Sequence, residues 1–155
     1  MSVMSLSRIS GSAVALCFTL LVSRPAFAQD QTRPAERSTL AGVYTEEQAT
    51  RGKNSFLGSC KSCHAPESQT GTNFTRLWLG KPLLELFNYV SEAMPENDPG
   101  TLPPDMNADI VAYLLQLNAM PPGQTELVAD TSVMRATRVE MKEPGAGAPG
   151  RASRR

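Results

Sequence analysis

Apolar positions recur at helical spacing in three stretches, separated by proline, glycine and small polar residues. The first stretch carries Ala49, Gly52 and Phe56 on one face, at intervals of three and four. Thr45-Glu46-Glu47-Gln48 has the form of a capping box, so the spacing predicts a helix from Thr45 to about Leu57. Two carboxylates in its first turn suit the helix dipole. Gly52 costs a helix interior about 1 kcal/mol relative to alanine, which points to close approach by another helix. The second stretch, Leu83, Leu86, Phe87 and Val90, predicts a helix from about Lys81 to Ala93, with Pro82 near its first turn. The third, Ile110, Val111, Tyr113, Leu114 and Leu117, predicts a helix from about Pro104 to Asn118. Pro121-Pro122-Gly123 stops it. This last helix is expected to cross the first, with Tyr113 near Gly52.

Between the first two helices, residues 65–80 hold Pro66, Gly71 and Gly80 among small polar residues and read as a loop. Phe74, Leu77 and Trp78 are too apolar for a fully exposed loop. They are expected to close the core or to pack on a bound group.

The two ends read differently. Residues 1–28 have the form of a secretory signal peptide: Arg8, then a mostly apolar run from Gly11 to Val22, then Ala26-Phe27-Ala28 as a small-x-small cleavage site. The run is too short to span a bilayer as a conventional helix. The alternative is an uncleaved anchor. Cys17 does not fit lipoprotein processing, because Leu16 precedes it where a small residue is needed. Residues 29–40 read as a flexible lead-in, 41–122 as the folded domain, and 123–155 as a disordered tail rich in Pro, Gly and Arg toward its end. The expected fold class is all-α.

Charge narrows the partners. The 155 residues carry no formal net charge, which gives no argument for nucleic acid. Without residues 1–28, thirteen basic residues face fifteen acidic ones, a net charge of −2. Segment 41–120 holds five basic and nine acidic residues, a net charge of −4. Such a surface favours a partner with a basic docking patch. Once the signal peptide is cleaved, no stable membrane insertion is expected.

The chemistry concentrates in Cys60-Lys61-Ser62-Cys63-His64. C-x-x-C-H is the attachment signature of a c-type haem. Two thiols add across the porphyrin vinyl groups, and the adjacent imidazole supplies the proximal iron ligand. With Cys17 removed, the mature chain holds two cysteines and one histidine, and these are the three. A thioredoxin-type dithiol needs a βαβ setting, and no strand pattern surrounds this one. A structural zinc site needs four ligands, and no second cluster completes one. A simple disulfide would leave His64 unexplained. The haem reading accounts for all three residues, and it implies one covalent haem c and export to the periplasm.

With no second histidine, a sixth iron ligand is expected to be a methionine, a soft neutral donor that favours ferrous iron. The mature chain offers Met94, Met106, Met120, Met134 and Met141. Met94 alone opens a proline-bounded loop between two predicted helices. The alternative is a core methionine with the sixth position open, as in a haem sensor or enzyme.

Segment 43–127 resembles a small class I cytochrome c. It is especially similar to the modules that serve as partners or fused domains of bacterial quinoprotein (PQQ) dehydrogenases. The matching pieces are Tyr44-Thr45-x-x-Gln48-Ala49-x-x-Gly52, Cys60-x-x-Cys63-His64, Leu77-Trp78-x-Gly80-x-x-Leu83-x-x-Leu86-Phe87, Met94-Pro95-x-x-x-Pro99-Gly100-x-Leu102 and Asp109-Ile110-Val111-Ala112-Tyr113-Leu114-Leu115. Ala65 and Pro103 depart from the pattern, standing where a glycine and a helix-capping serine or threonine are usual. The resemblance implies three to four short helices around one haem. It implies Cys60 and Cys63 as thioether sites, with His64 and Met94 as axial ligands. The implied role is a respiratory-chain electron carrier rather than an enzyme, between a dehydrogenase donor and a cytochrome or oxidase acceptor. A fixed electron-transfer subunit of a dehydrogenase complex is the alternative role.

Overall fold

The computed structural model describes residues 35–142. The signal peptide expected over 1–28 lies outside the described residues, as do the last thirteen residues of the chain. The described residues are mainly helical and form five helices: α1 (Glu46–Ser59), α2 (Gly71–Trp78), α3 (Leu83–Ala93), α4 (Pro104–Leu117) and α5 (Thr131–Ala136). Two short strands, β1 (Arg37–Ser38) and β2 (Thr137–Arg138), pair in parallel. No helix among the described residues is long and apolar enough to cross a membrane.

The centre of the fold is the crossing of α1 and α4. Thr45 caps α1, its hydroxyl accepting from the Gln48 N–H at 3.2 Å. Ala49, Gly52 and Phe56 all face inward and are buried, as their spacing predicts. At Gly52 the helices touch backbone to backbone: an added Cβ would overlap the Asp109 carbonyl. One turn further on, Phe56 meets Tyr113 edge to face, with ring centroids 5.5 Å apart. Tyr113 therefore packs beside Phe56, while Asp109 takes the place directly over Gly52. Arg51 closes the rim of this crossing, gripping Asp109 through two nitrogens and Glu126 through one, at 2.9–3.1 Å. Arg51 and Glu126 are half exposed and Asp109 is largely covered, and exposed pairs of this kind stabilise by less than about 1 kcal/mol each.

Three expectations need correction. The stretch 65–80 is not a loop. It forms a 3-10 turn (Pro66–Gln69) and α2, which buries Phe74 in the core and packs against α3. The lead-in is ordered from Arg37, where β1 pairs with β2 and Thr39 is fully buried. The tail is folded as far as Lys142. Leu127, Met134 and Val139 are buried in the main core, and the Asp130 carboxylate caps α5 by accepting from the Ser132 and Val133 N–H groups. The folded unit thus exceeds 41–122 at both ends, and the α-helices among the described residues number five where three to four were expected.

The physical reason is that the two ends supply each other's partners. Thr39 Oγ1 donates to the Glu140 carbonyl at 2.8 Å and accepts from the Glu140 N–H at 2.9 Å. Gly42, at φ 72°, lies against Gly123 so tightly that a side chain on Gly123 would strike the Gly42 carbonyl. The Gly123 N–H donates to the Tyr44 carbonyl at 2.6 Å. Neither end has enough apolar residues in sequence to announce itself as a helix.

Candidate functional site

The last turn of α1 delivers the chain to Cys60, whose N–H donates to the Phe56 carbonyl at 2.8 Å. The chain then turns tightly. The N–H groups of Cys63 and His64 both converge on the Cys60 carbonyl, at 3.1 and 2.9 Å. This turn brings Cys60, Cys63 and His64 to the lining of one cavity lobe of about 460 Å³, together with Met94, Pro95 and Glu96. Both cysteines are free thiols. Burial pushes the Cys60 thiol up from its ordinary pKa.

A second lobe of about 190 Å³ shares Cys60, His64 and Met94 with the first. Its other walls are apolar or aromatic: Phe56 from α1, Phe74 and Trp78 from α2, Leu86 and Val90 from α3, and Ile110 from α4. The first lobe carries the polar and sulfur donors and falls within the range of about 300–1,000 Å³ typical of cofactor sites, and the hydrocarbon walls belong to the second. Phe74, Leu77 and Trp78 all line the deeper lobe; Phe74 is buried, whereas Leu77 stays half exposed.

Met94 is supplied by the C-terminal end of α3. Helix α3 ends at Ala93 because Pro95 forces the residue before it out of helical geometry. Met94 adopts φ −121° and ψ 149°, extended, at the edge of both lobes. Met120 and Met134 are buried in the core, and Met106 and Met141 pack against it. Among the described methionines, Met94 alone lines the two lobes.

Two residues near His64 carry no signal in the sequence. The Gln69 amide nitrogen lies 3.4 Å from His64 Nδ1. Its N–H donates to an unprotonated Nδ1, and the same amide turned over would accept from Nδ1–H. Gln69 is itself anchored, because Asn118 Nδ2 donates to its carbonyl at 2.9 Å. Gln69 falls in the stretch that reads as a polar loop, so nothing in its pattern singles it out.

The donor set fits a haem better than a bare ion. Two thiols, an imidazole and a thioether meet in one cavity with apolar walls. Among the described residues no cluster of three His, Cys, Asp or Glu side chains forms that could hold a metal ion by itself. No protein-family model, curated protein or solved structure matches this chain.

Proposed function

We propose that the chain is a small class I c-type cytochrome with one haem, an exported carrier of single electrons. The observation that carries this reading is the convergence of Cys60, Cys63, His64 and Met94 on one cavity with aromatic and aliphatic walls. Cys60 and Cys63 would hold the group by thioether bonds. His64 and Met94 would be its axial ligands. When bound, the haem supplies reversible one-electron chemistry at its iron, with a methionine ligand raising the potential.

The protein's own part is to fix the ligands and to exclude water. Its α1–α4 crossing sets where Cys60 begins, and the end of α3 sets where Met94 stands. Phe56, Phe74, Leu86 and Ile110 keep the deeper lobe apolar. The Gln69 amide is placed to orient the His64 ring. The signal-like sequence of 1–28 supports a periplasmic location. By resemblance, the donor is a quinoprotein dehydrogenase and the acceptor a downstream cytochrome or oxidase.

The test is the visible spectrum of the protein exported with haem-maturation machinery, recorded oxidised, reduced, and reduced under CO. A carrier gives sharp low-spin bands indifferent to CO. It also gives a ferric methionine–iron charge-transfer band that Met94→Ala abolishes. Rapid CO binding by the unsubstituted protein would sink the Met94 assignment and favour a sensor or enzyme. Absence of covalent haem would overturn the reading altogether.

A further inference from the structure

Outside the cavity lies an open groove of about 370 Å³ lined by Trp78, Glu85, Asn88, Tyr89, Glu92 and Ala93. Trp78 and Tyr89 line the deeper lobe of the cavity as well, so this aromatic pair is a wall shared by the two spaces. Their ring centroids are 5.5 Å apart and their planes are tilted by 53°. Tyr89 is 49 % exposed. The groove already accepts one cation from its own chain: Lys81 Nζ stands 5.7 Å from the Trp78 ring centroid and 3.2 Å from Glu85 Oε2.

The charge around this groove is one-sided. From Pro82 to Met134 the sequence contains eight carboxylates and neither lysine nor arginine. Four of them, Glu85, Glu92, Glu96 and Asp98, lie on α3 and the loop that follows it. Lys81 balances Glu85. Glu92 is exposed and makes no ion pair among the described residues. An aromatic floor with a carboxylate rim has the anatomy of a protein-binding hot spot, and its charge complements a basic partner.

We infer that this groove docks a partner protein through an arginine side chain laid against Trp78 and Tyr89, within a basic patch. Arginine suits it better than lysine for a geometric reason. A planar guanidinium stacks on a ring and forks to a carboxylate at once, which a compact ammonium does not do. The carboxylate rim disfavours nucleic acid and acidic lipid. A partner seated here rests on the outer side of the wall of the proposed haem cavity. That placement gives docking a role in electron transfer only if the haem reading holds, whereas the docking itself does not depend on it.

The test is a salt-controlled NMR titration of the full exported protein, reduced, with acetylated hexa-arginine, hexa-lysine and hexa-glutamate peptides. Trp78 is the only tryptophan in the chain, so one indole N–H signal reports on the centre of the groove. Saturable shifts are expected at that indole and at the amides from Glu85 to Glu92. Binding of hexa-arginine should exceed that of hexa-lysine by about threefold. Glu92→Lys should weaken it about tenfold. Tyr89→Ser should erase the preference for arginine, and Glu47→Lys on α1 should leave both affinities unchanged. Shifts centred elsewhere, equal weakening by Glu47→Lys, binding of hexa-glutamate, or no difference between the basic peptides would each overturn the inference. A protein that lacks haem and still binds in this way would remove the electron-transfer reading and leave the docking site standing.

Discussion

Gln48 and Leu127 exchange two hydrogen bonds across the fold. Gln48 Nε2 donates to the Leu127 carbonyl at 2.8 Å, and the Leu127 N–H donates to Gln48 Oε1 at 2.7 Å. Both residues are buried. The Gln48 side chain therefore does not complete the capping box of α1. It satisfies the Leu127 backbone N–H and carbonyl, which would otherwise be buried without partners. Gln48→Ala leaves both Leu127 groups unpaired, and should destabilise the protein by about 2–4 kcal/mol in urea unfolding. A loss below about 0.5 kcal/mol would show that the segment around Leu127 detaches without consequence.

Gly52→Ala sets two effects against each other. Alanine is favoured over glycine in a helix interior by about 1 kcal/mol. The added methyl, however, would overlap the Asp109 backbone carbonyl, and a carbonyl in the middle of α4 cannot step aside without moving the helix. Overpacking of that kind costs about 1–3 kcal/mol or more. The overlap should win, with a net loss of at least about 1 kcal/mol in thermal or urea unfolding. A more stable variant would mean that α1 and α4 lie further apart than described.

The folded tail makes its own prediction. Met134 is fully buried, and α5 packs against α3. Met134→Ala should cost about 2–5 kcal/mol. Limited proteolysis should spare residues 123–142 in the native protein, and ending the chain at Pro122 should lower the midpoint of unfolding sharply. Rapid trimming back to Pro122 with no loss of stability would refute the packing of this segment.

The three main helices were legible because each combines a 3.6-residue apolar rhythm with a marked start or stop: Thr45 for α1, Pro95 after α3, and Pro103-Pro104 at the start of α4. The helix-crossing role of Gly52 was legible too, because a glycine inside a helix needs a reason. The tail was not legible. Its buried residues, Leu127, Met134 and Val139, are isolated in sequence, and the segment is tied down from far upstream: Leu127 bonds to Gln48, Val139 to Lys81 and Glu140 to Thr39. Helix α2 was hidden by the small polar residues around Phe74. The convergence of Cys60, Cys63, His64 and Met94 was readable in part: the first three from spacing, and Met94 by elimination. The roles of Gln69 and Asn118 depend on a turn that only the folded chain makes.

Two methionines can be set against each other. Met94 lines the cavity, whereas Met120 is 2 % exposed in the core, where its carbonyl accepts from the Tyr44 hydroxyl. If the proposed haem and its Met94 ligand are correct, Met94→Leu should alter the visible spectrum and admit CO to the reduced protein while changing stability little. Met120→Leu should leave the spectrum unchanged and cost less than about 1.5 kcal/mol, as volume-conserving core exchanges do. A spectral change in the Met120 variant alone would exchange the roles of the two residues.

Tyr44 ties stability to alkaline pH. Its ring is fully buried and its hydroxyl donates to the Met120 carbonyl at 2.6 Å. Burial, with help from the Glu46 carboxylate, pushes its pKa up to about 12. The folded state thus keeps the phenol proton where the unfolded state, titrating near 10, gives it up. The contribution is fully present below pH 10 and is lost as pH rises through 10 to 12, by about 1.4 kcal/mol per pH unit. Tyr113 is also raised, by burial and by Glu67, so it adds to the fall with the same sign. Tyr44→Phe removes the hydrogen bond to Met120 and should cost about 1 kcal/mol at pH 7. The same substitution should flatten the loss above pH 10, so that the variant overtakes the unsubstituted protein near pH 11 to 12. Urea unfolding at pH 7, 10 and 11.5 decides the matter. Parallel pH profiles for the two proteins would mean that the Tyr44 phenol ionises as freely in the fold as outside it.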